Sequence, residues 1–143
     1  MIKKIIVAVL VSTLSVSVFA ANHLIFSCTN KQGKKVEVRE IGQNIQYSFG
    51  RSENPELVFK NSKTQARQLT KDYGAIGQGA RFIVLQNGSF SYIPYARIVN
   101  KYEKGEHSEY GVWVEKNGSP VSEIKCNIRK QFPIINIDDD FNY

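Results

Sequence analysis

Three glutamates, Glu103, Glu106 and Glu109, crowd one charged stretch that also holds His107. Paired carboxylates at a fixed separation, one acid and one base or nucleophile, are what glycoside hydrolysis requires, so this stretch carries a hydrolase reading. Clustered charged residues of this kind are more commonly plain surface. A histidine becomes a general base only with a positioned partner, and His23 and His107 read as solvated loop residues. The chain holds no Gly-x-Ser-x-Gly elbow, no His-Glu-x-x-His pair and no phosphate loop. Gly74-Ala75-Ile76-Gly77-Gln78-Gly79 is rich in glycine but lacks the strand-to-helix setting that phosphate binding needs, and reads as a flexible loop. Asp138-Asp139-Asp140 lacks the alternate spacing and closing glutamate of a calcium loop and reads as a solvated acidic tail. The expectation is therefore no catalytic residues, no metal and no cofactor.

The two cysteines, Cys28 and Cys126, lie one near each end of the chain's body. Each belongs to an alternating segment: Leu24, Phe26 and Cys28 share one face, and Ile124 and Cys126 share another. Both sulfurs should point inward, and in an exported protein such a pair reads as one structural disulfide. Closing so long a loop stabilises a fold by about 4–5 kcal/mol in the chain-entropy picture. The competing reading makes Ile25-Phe26-Ser27-Cys28 a lipoprotein box with Cys28 acylated, which Phe26 and the polar Asn22-His23 fit poorly. Two distant cysteines are too few for a metal site.

Export is read from the start of the chain. Met1-Ile2-Lys3-Lys4 is a positive segment, Ile5 to Leu14 is an apolar run broken only by Ser12 and Thr13, and Val18-Phe19-Ala20 supplies small residues where a signal peptidase cuts. The expected division is a signal peptide over 1–21, a β domain over 22–130 and a C-terminal tail over 131–143. A periplasmic or secreted location follows. Without Lys3 and Lys4 the formal charge falls from +6 to +4, and the three tail aspartates leave the body at +7. Such a charge bears on solubility and association rate rather than on fold. Arg81, Arg97, Lys101 and Lys104 lie near Tyr92, Tyr95 and Tyr102, a composition that single-strand binding surfaces share. Export takes the chain away from nucleic acid, and strand aromatics usually face a core, so no nucleic-acid partner is expected.

The elements that would position these residues are strands. Arg81 to Tyr95 holds two arms rich in β-branched and aromatic residues around Asn87-Gly88, which predicts a hairpin with a type I′ turn. Phe82 to Leu85 is apolar throughout, as in a strand covered on both faces. Phe90 and Tyr92 alternate with Ser89 and Ser91, as in a half-buried one. Lys34 to Glu40 puts Val36 and Val38 inward, Asn44 to Phe49 puts Ile45, Tyr47 and Phe49 on one face, and Pro55 to Lys60 is a short edge strand opened by proline. Residues 61–78 lack a clear period; Ser62 could cap a turn or two of helix before a mobile loop. Arg97 to Glu109 reads as an exposed connection, with a strand at most over Arg97 to Tyr102. A second hairpin follows at Asn117-Gly118, between Tyr110 to Glu115 and Val121 to Cys126. The tail either docks or dangles. The whole predicts an all-β, single-domain meander of antiparallel hairpins, closed into a small barrel or curved into a sandwich.

Several of these segments have relatives in pattern. Phe26-Ser27-Cys28, Lys35-Val36-Glu37-Val38, a late tryptophan strand with Lys116-Asn117-Gly118, and Lys125-Cys126 resemble the framework of the small periplasmic inhibitors of animal-type lysozyme. The resemblance implies an antiparallel barrel and a Ser-Gly-x-x-Tyr loop that enters the lysozyme cleft. The matching segment, Gln78-Gly79-Ala80-Arg81-Phe82, keeps the glycine, with Gln78 in place of serine and Phe82 in place of tyrosine. Lysozymes of that type are basic, and a body at +7 opposes them in charge. Separately, Tyr47-Ser48-Phe49-Gly50-Arg51 with Pro55-Glu56-Leu57 resembles a segment of small uncharacterised exported bacterial proteins, which implies no activity.

These readings converge on an exported, non-catalytic protein of the envelope that binds a macromolecular partner, protein or envelope polymer, through a strand edge or the glycine loop. An inhibitor or immunity role is one form of it. The alternatives are a carboxylate-dependent hydrolase of envelope polymers and a structural protein without a dedicated ligand. The expected binding residues are Tyr73, Gly77, Gln78, Gly79 and Arg81. A rigid strand would carry this loop to a partner. The glycines permit close approach, Tyr73 gives an amphipathic contact, and Arg81 can pair with a carboxylate or phosphate.

Overall fold

A computed structural model describes residues 22–77, 79–101 and 105–138. Residues 1–21, expected to be a signal peptide, and Gln78, Glu103 and the last two tail aspartates lie outside these residues. The order is β1 (Asn22–Thr29), β2 (Lys35–Ile41), β3 (Asn44–Arg51), β4 (Asn54–Ser62), α1 (Lys63–Tyr73), β5 (Arg81–Phe82), β6 (Leu85–Asn87), β7 (Phe90–Lys101), β8 (Gly105–Lys116), β9 (Ser119–Lys125) and β10 (Ile134–Ile135). All pairings are antiparallel. One sheet runs β10-β1-β2-β3-β4; the other runs β5-β7-β8-β9, with β6 also on β7.

The two sheets form a sandwich, not a closed barrel. Between them lie Phe26, Cys28, Val36, Val38, Ile45 and Tyr47 from the first sheet and Leu85 and Val112 from the second. Tyr92, Phe59 and Tyr47 meet there as an aromatic trio with centroids 5.0–5.2 Å apart. Cys28 and Cys126 are disulfide-bonded, with Cα atoms 5.3 Å apart, and tie β1 to the end of β9. That bond replaces the acylated-Cys28 alternative: the residue is buried and oxidised. Among the described residues no helix is long and apolar enough to cross a membrane.

Closure fails at a definite place, between β4 and β6. There the Asn61 side chain stands in for a ladder, accepting from the Gln86 amide at 2.8 Å and donating to its carbonyl at 2.8 Å. Just before, the expected continuous first arm breaks at Ile83-Val84. The Val84 amide donates to Thr70 Oγ1 at 2.9 Å, and that hydroxyl donates to the Ala66 carbonyl at 2.7 Å. All four residues from Phe82 to Leu85 are buried, as their composition predicts, but through a kink covered by a helix.

That helix is a correction. Residues 63–73 form three turns of α1, where a turn or two was expected. Ser62 Oγ accepts from the Gln65 amide at 3.0 Å as N-cap, and Gly74 ends it at φ 84°. Ala66 is buried in the sandwich core, and Leu69 packs against a second cluster of Phe82, Val84, Ile93 and Tyr95 on the outer side of the second sheet.

Two smaller corrections follow, and the alternative left open for the tail is decided. The 87–88 turn is displaced by one residue: Asn87 pairs with Phe90, so the loop is Gly88-Ser89, and only Gly88 has positive φ (61°). Asn117-Gly118, both at positive φ, does form the expected two-residue loop. Arg97 to Lys101 and Gly105 to Glu109, expected as part of an exposed connection, are the far half of a long ribbon, paired from Phe90↔Lys116 to Lys101↔Gly105. The tail docks: Ile134 and Ile135 pair with β1, the Asn136 amide donates to Ile25 O at 2.7 Å, and Ile137 is buried.

Candidate functional site: the Trp113 groove

The outer face of the second sheet carries the densest grouping of aromatic and charged side chains. Its organising contact is Tyr95 on β7, directly opposite Gly111 on β8. A Cβ at Gly111 would lie 2.5 Å from Ile124 O and 2.9 Å from Tyr95 Oη. Only a glycine lets the tyrosine ring cross β8 and reach β9. There its hydroxyl donates to Glu123 Oε1 at 2.5 Å. Lying across the strand, the ring stacks on Trp113, with centroids 4.2 Å apart and planes inclined by 22°.

Arg97, two residues along β7, completes the stack. Its guanidinium carbon lies 5.1 Å from the Trp113 centroid and 5.6 Å from that of Tyr95. Glu109, its cross-strand partner, holds it through Nη2 and Nε at 2.8 and 3.1 Å. His107 Nε2 is 3.3 Å from the other Glu109 oxygen. The Arg97 hydrogen bond holds the Glu109 carboxyl below the usual carboxylate range, against a smaller opposing effect of burial. Burial, and after it the Glu123 carboxylate, push the Tyr95 hydroxyl above its ordinary value.

Beside the stack opens a groove of about 440 Å³, lined by Tyr73, Trp113, Glu115, Pro120, Val121 and Glu123 among others. The C-terminal turn of α1 brings Tyr73 to it; the ring packs against Phe82 with centroids 5.9 Å apart, and the hydroxyl donates to Glu115 Oε1 at 2.7 Å. Burial first, and then Glu115, push the Tyr73 hydroxyl up to about 12. Chemically this is an aromatic wall fixed from behind, an apolar lip at Val121, and two carboxylates each already oriented by a tyrosine hydroxyl. It can stack against a flat or apolar group and accept hydrogen bonds or a cation at its rim.

Of the described residues expected to bind, only Tyr73 belongs to this groove. Gly77 and Gly79 are exposed in the loop after α1, at φ 138° and 68°. Arg81 turns to the tail and donates to Ile137 O at 3.4 Å. Phe82, which the inhibitor resemblance aligns with an exposed tyrosine, is buried. In the proposed hydrolase cluster, Glu109 is committed to Arg97 and Glu106 is exposed toward the far end of the ribbon. Tyr92 and Tyr95 face the two cores, as expected of strand aromatics, and are not stacking platforms for nucleic acid.

Comparison with known proteins leaves the chain alone: no protein family, no curated protein and no solved structure matches it.

Proposed function

We propose that this is an exported, non-catalytic binding protein that engages a macromolecular partner through the Trp113 groove. The observation that carries the reading is the construction of that groove. Trp113 is held by Tyr95, Arg97 and, through Tyr95, Glu123, so its surface is preorganised and binding costs little ordering. Tryptophan, tyrosine and arginine are also the residue types that dominate binding energy at interfaces. The disulfide supports an oxidising, extracytoplasmic setting.

The groove is favoured over a strand edge as the docking element. Edge strand β9 begins with Ser119-Pro120 and is bulged at Val121, where its register against β8 shifts between Val114 and Glu115, both features that discourage added strands. An inhibitor or immunity role is one form of this function, and an animal-type lysozyme is the first partner to try, given the sequence resemblance.

The hydrolase reading moves with the geometry. Among the described residues Glu115 and Glu123, rather than Glu106 and Glu109, border the aromatic groove. Two carboxylates beside a stacking ring suit a sugar polymer, but each here accepts a tyrosine hydroxyl rather than facing a nucleophile or water path. The test is capture from envelope and host-secretion extracts by wild-type protein and by Trp113→Ala. The reading expects a partner retained by the first and lost by the second. Hydrolysis of peptidoglycan that vanished in Glu115→Gln or Glu123→Gln would replace it with the enzyme.

A further inference from the structure

The end of the sandwich that carries the disulfide has a surface unlike the groove. Phe132 is 69% exposed, the most exposed large apolar side chain among the described residues, and Ile128 is 52% exposed. Both border Tyr110: the Phe132 ring meets it at 5.9 Å, and Ile128 lines one shallow cavity with it, together with Lys125 and the Arg97-bound Glu109. Lys125 lines a second cavity with Lys31. Lys130 lies over the β1–β2 turn, its Nζ 3.1 Å from where a Cβ of Gly33 would be. Arg129 precedes Lys130 in the turn over 128–130 that follows the disulfide. Among the described residues no carboxylate pairs with Lys31, Arg129 or Lys130, and Lys125 has only Glu123, at 4.0 Å.

This surface is also rigid. The Asn127 amide donates to Thr29 O at 2.7 Å, the Lys130 and Gln131 amides donate back to Asn127 O at 3.0 and 3.2 Å, and Cys126 is bonded to Cys28. Thr29 Oγ1 donates to Gln131 Oε1 at 3.0 Å. The two apolar side chains are thus held out by a fixed turn and do not fold back on the domain.

We propose that this end docks peripherally on an anionic lipid bilayer. Ile128 and Phe132 enter the boundary between headgroups and acyl chains, and Lys31, Lys125, Arg129 and Lys130 face lipid phosphates. A hydrophilic polyanion would satisfy the cations and leave both apolar side chains in water; an apolar protein groove would satisfy the side chains and strand the cations. An anionic bilayer satisfies both, and the two kinds of signal together are what stable peripheral binding requires. The docking surface does not include Trp113, so this reading and the groove stand or fall separately.

The test uses the oxidised chain from residue 22 to 143 and sedimentation with vesicles. Pure phosphatidylcholine is compared with equal parts phosphatidylcholine and phosphatidylglycerol. Wild type binds the anionic vesicles only, and more weakly as salt rises. Arg129→Glu with Lys130→Glu, and Ile128→Ser with Phe132→Ser, each weaken that binding by roughly tenfold or more, with melting temperatures unchanged because these side chains are exposed. As a reporter that needs no loss of stability, Phe132→Trp in a Trp113→Phe background shifts its emission to the blue on anionic vesicles. Absence of binding to anionic vesicles overturns the proposal. So does binding undiminished by the serine pair, or an emission that does not move; either would mark a polyanion surface without insertion.

Discussion

Tyr95 lies across Gly111, and its hydroxyl reaches past β8 to Glu123 on β9 at 2.5 Å. One missing side chain thus lets a single ring bridge three strands and brace the tryptophan beside it. The same relationship makes Gly111 a sensitive position. Gly111→Ala places a methyl 2.5 Å from a backbone carbonyl, which cannot swing away as a side chain would. The expected cost is about 1–3 kcal/mol of unfolding free energy, as for other overpacked sites. Urea denaturation followed at Trp113 measures it, and a change of only a few tenths would show that the strands separate freely there.

Tyr47 offers the opposite case. It is fully buried among Phe59 and Tyr92, yet its hydroxyl has no hydrogen-bond partner among the described residues. Burial, with a smaller effect of Tyr92, raises its pKa. Removing an unpaired hydroxyl while keeping the ring is expected to be neutral or to stabilise by about 1 kcal/mol. Thermal unfolding of Tyr47→Phe checks this; a marked destabilisation would mean the hydroxyl is bonded in solution.

The β4–β6 junction rests on two side chains that serve as backbone partners. Asn61→Leu leaves the Gln86 amide and carbonyl unpaired, and Thr70→Val leaves the Val84 amide so. Each is expected to cost about 1–3 kcal/mol, the penalty of a buried polar group left unsatisfied. Amide hydrogen exchange should quicken at Gln86 in the first variant and at Val84 in the second. Unchanged protection in both would remove these side chains from the account of why the sandwich stays open.

Much of the fold was legible because its signals are local. The alternation of Val36 with Val38 and of Ile45, Tyr47 and Phe49, the second Asn-Gly loop and the inward cysteines all describe the structure. The helix was nearly legible. Ala66, Leu69, Thr70 and Tyr73 follow helical spacing, but a buried threonine disguised the face. Groove residues were harder. Trp113 and Glu115 alternate and so share a face, but a regular two-residue hairpin would set Ser122 opposite Trp113. The register shift between Val114 and Glu115 sets Glu123 there instead. Likewise the type of residue 111 signals an aromatic neighbour only once Tyr95 is known to lie across from it. Long-range register, not residue type, was the missing information.

Alkaline titration should report the two tyrosine–carboxylate pairs. Tyr73 and Tyr95 are both shifted upward, Tyr73 to about 12. A hydroxyl whose folded pKa exceeds its unfolded value gives stability that is complete below the unfolded value, near 10, and is lost as pH rises through the folded one. Stability is therefore expected to be level up to about pH 10 and to fall above it. Absorbance of tyrosinate should show Tyr73 and Tyr95 ionising late along with Tyr47 and Tyr92, which burial also raises, and Tyr73→Phe should remove one of these late groups. Loss in Tyr73→Phe of a group that titrates at the ordinary value, rather than of a late one, would contradict the burial of Tyr73 and its hydrogen bond to Glu115.

The groove itself is tested most directly by asking where a partner touches. A photoactivatable p-benzoylphenylalanine in place of Val121 stands on the lip of the groove; in place of Val58, also exposed, it stands on the first sheet as a control. Both proteins are irradiated in envelope and host-secretion extracts, with and without Trp113→Ala. The account predicts a discrete crosslinked product from position 121, none from position 58, and loss of the product when Trp113 is removed. No product from position 121, an equal product from position 58, or a product indifferent to Trp113 would contradict it.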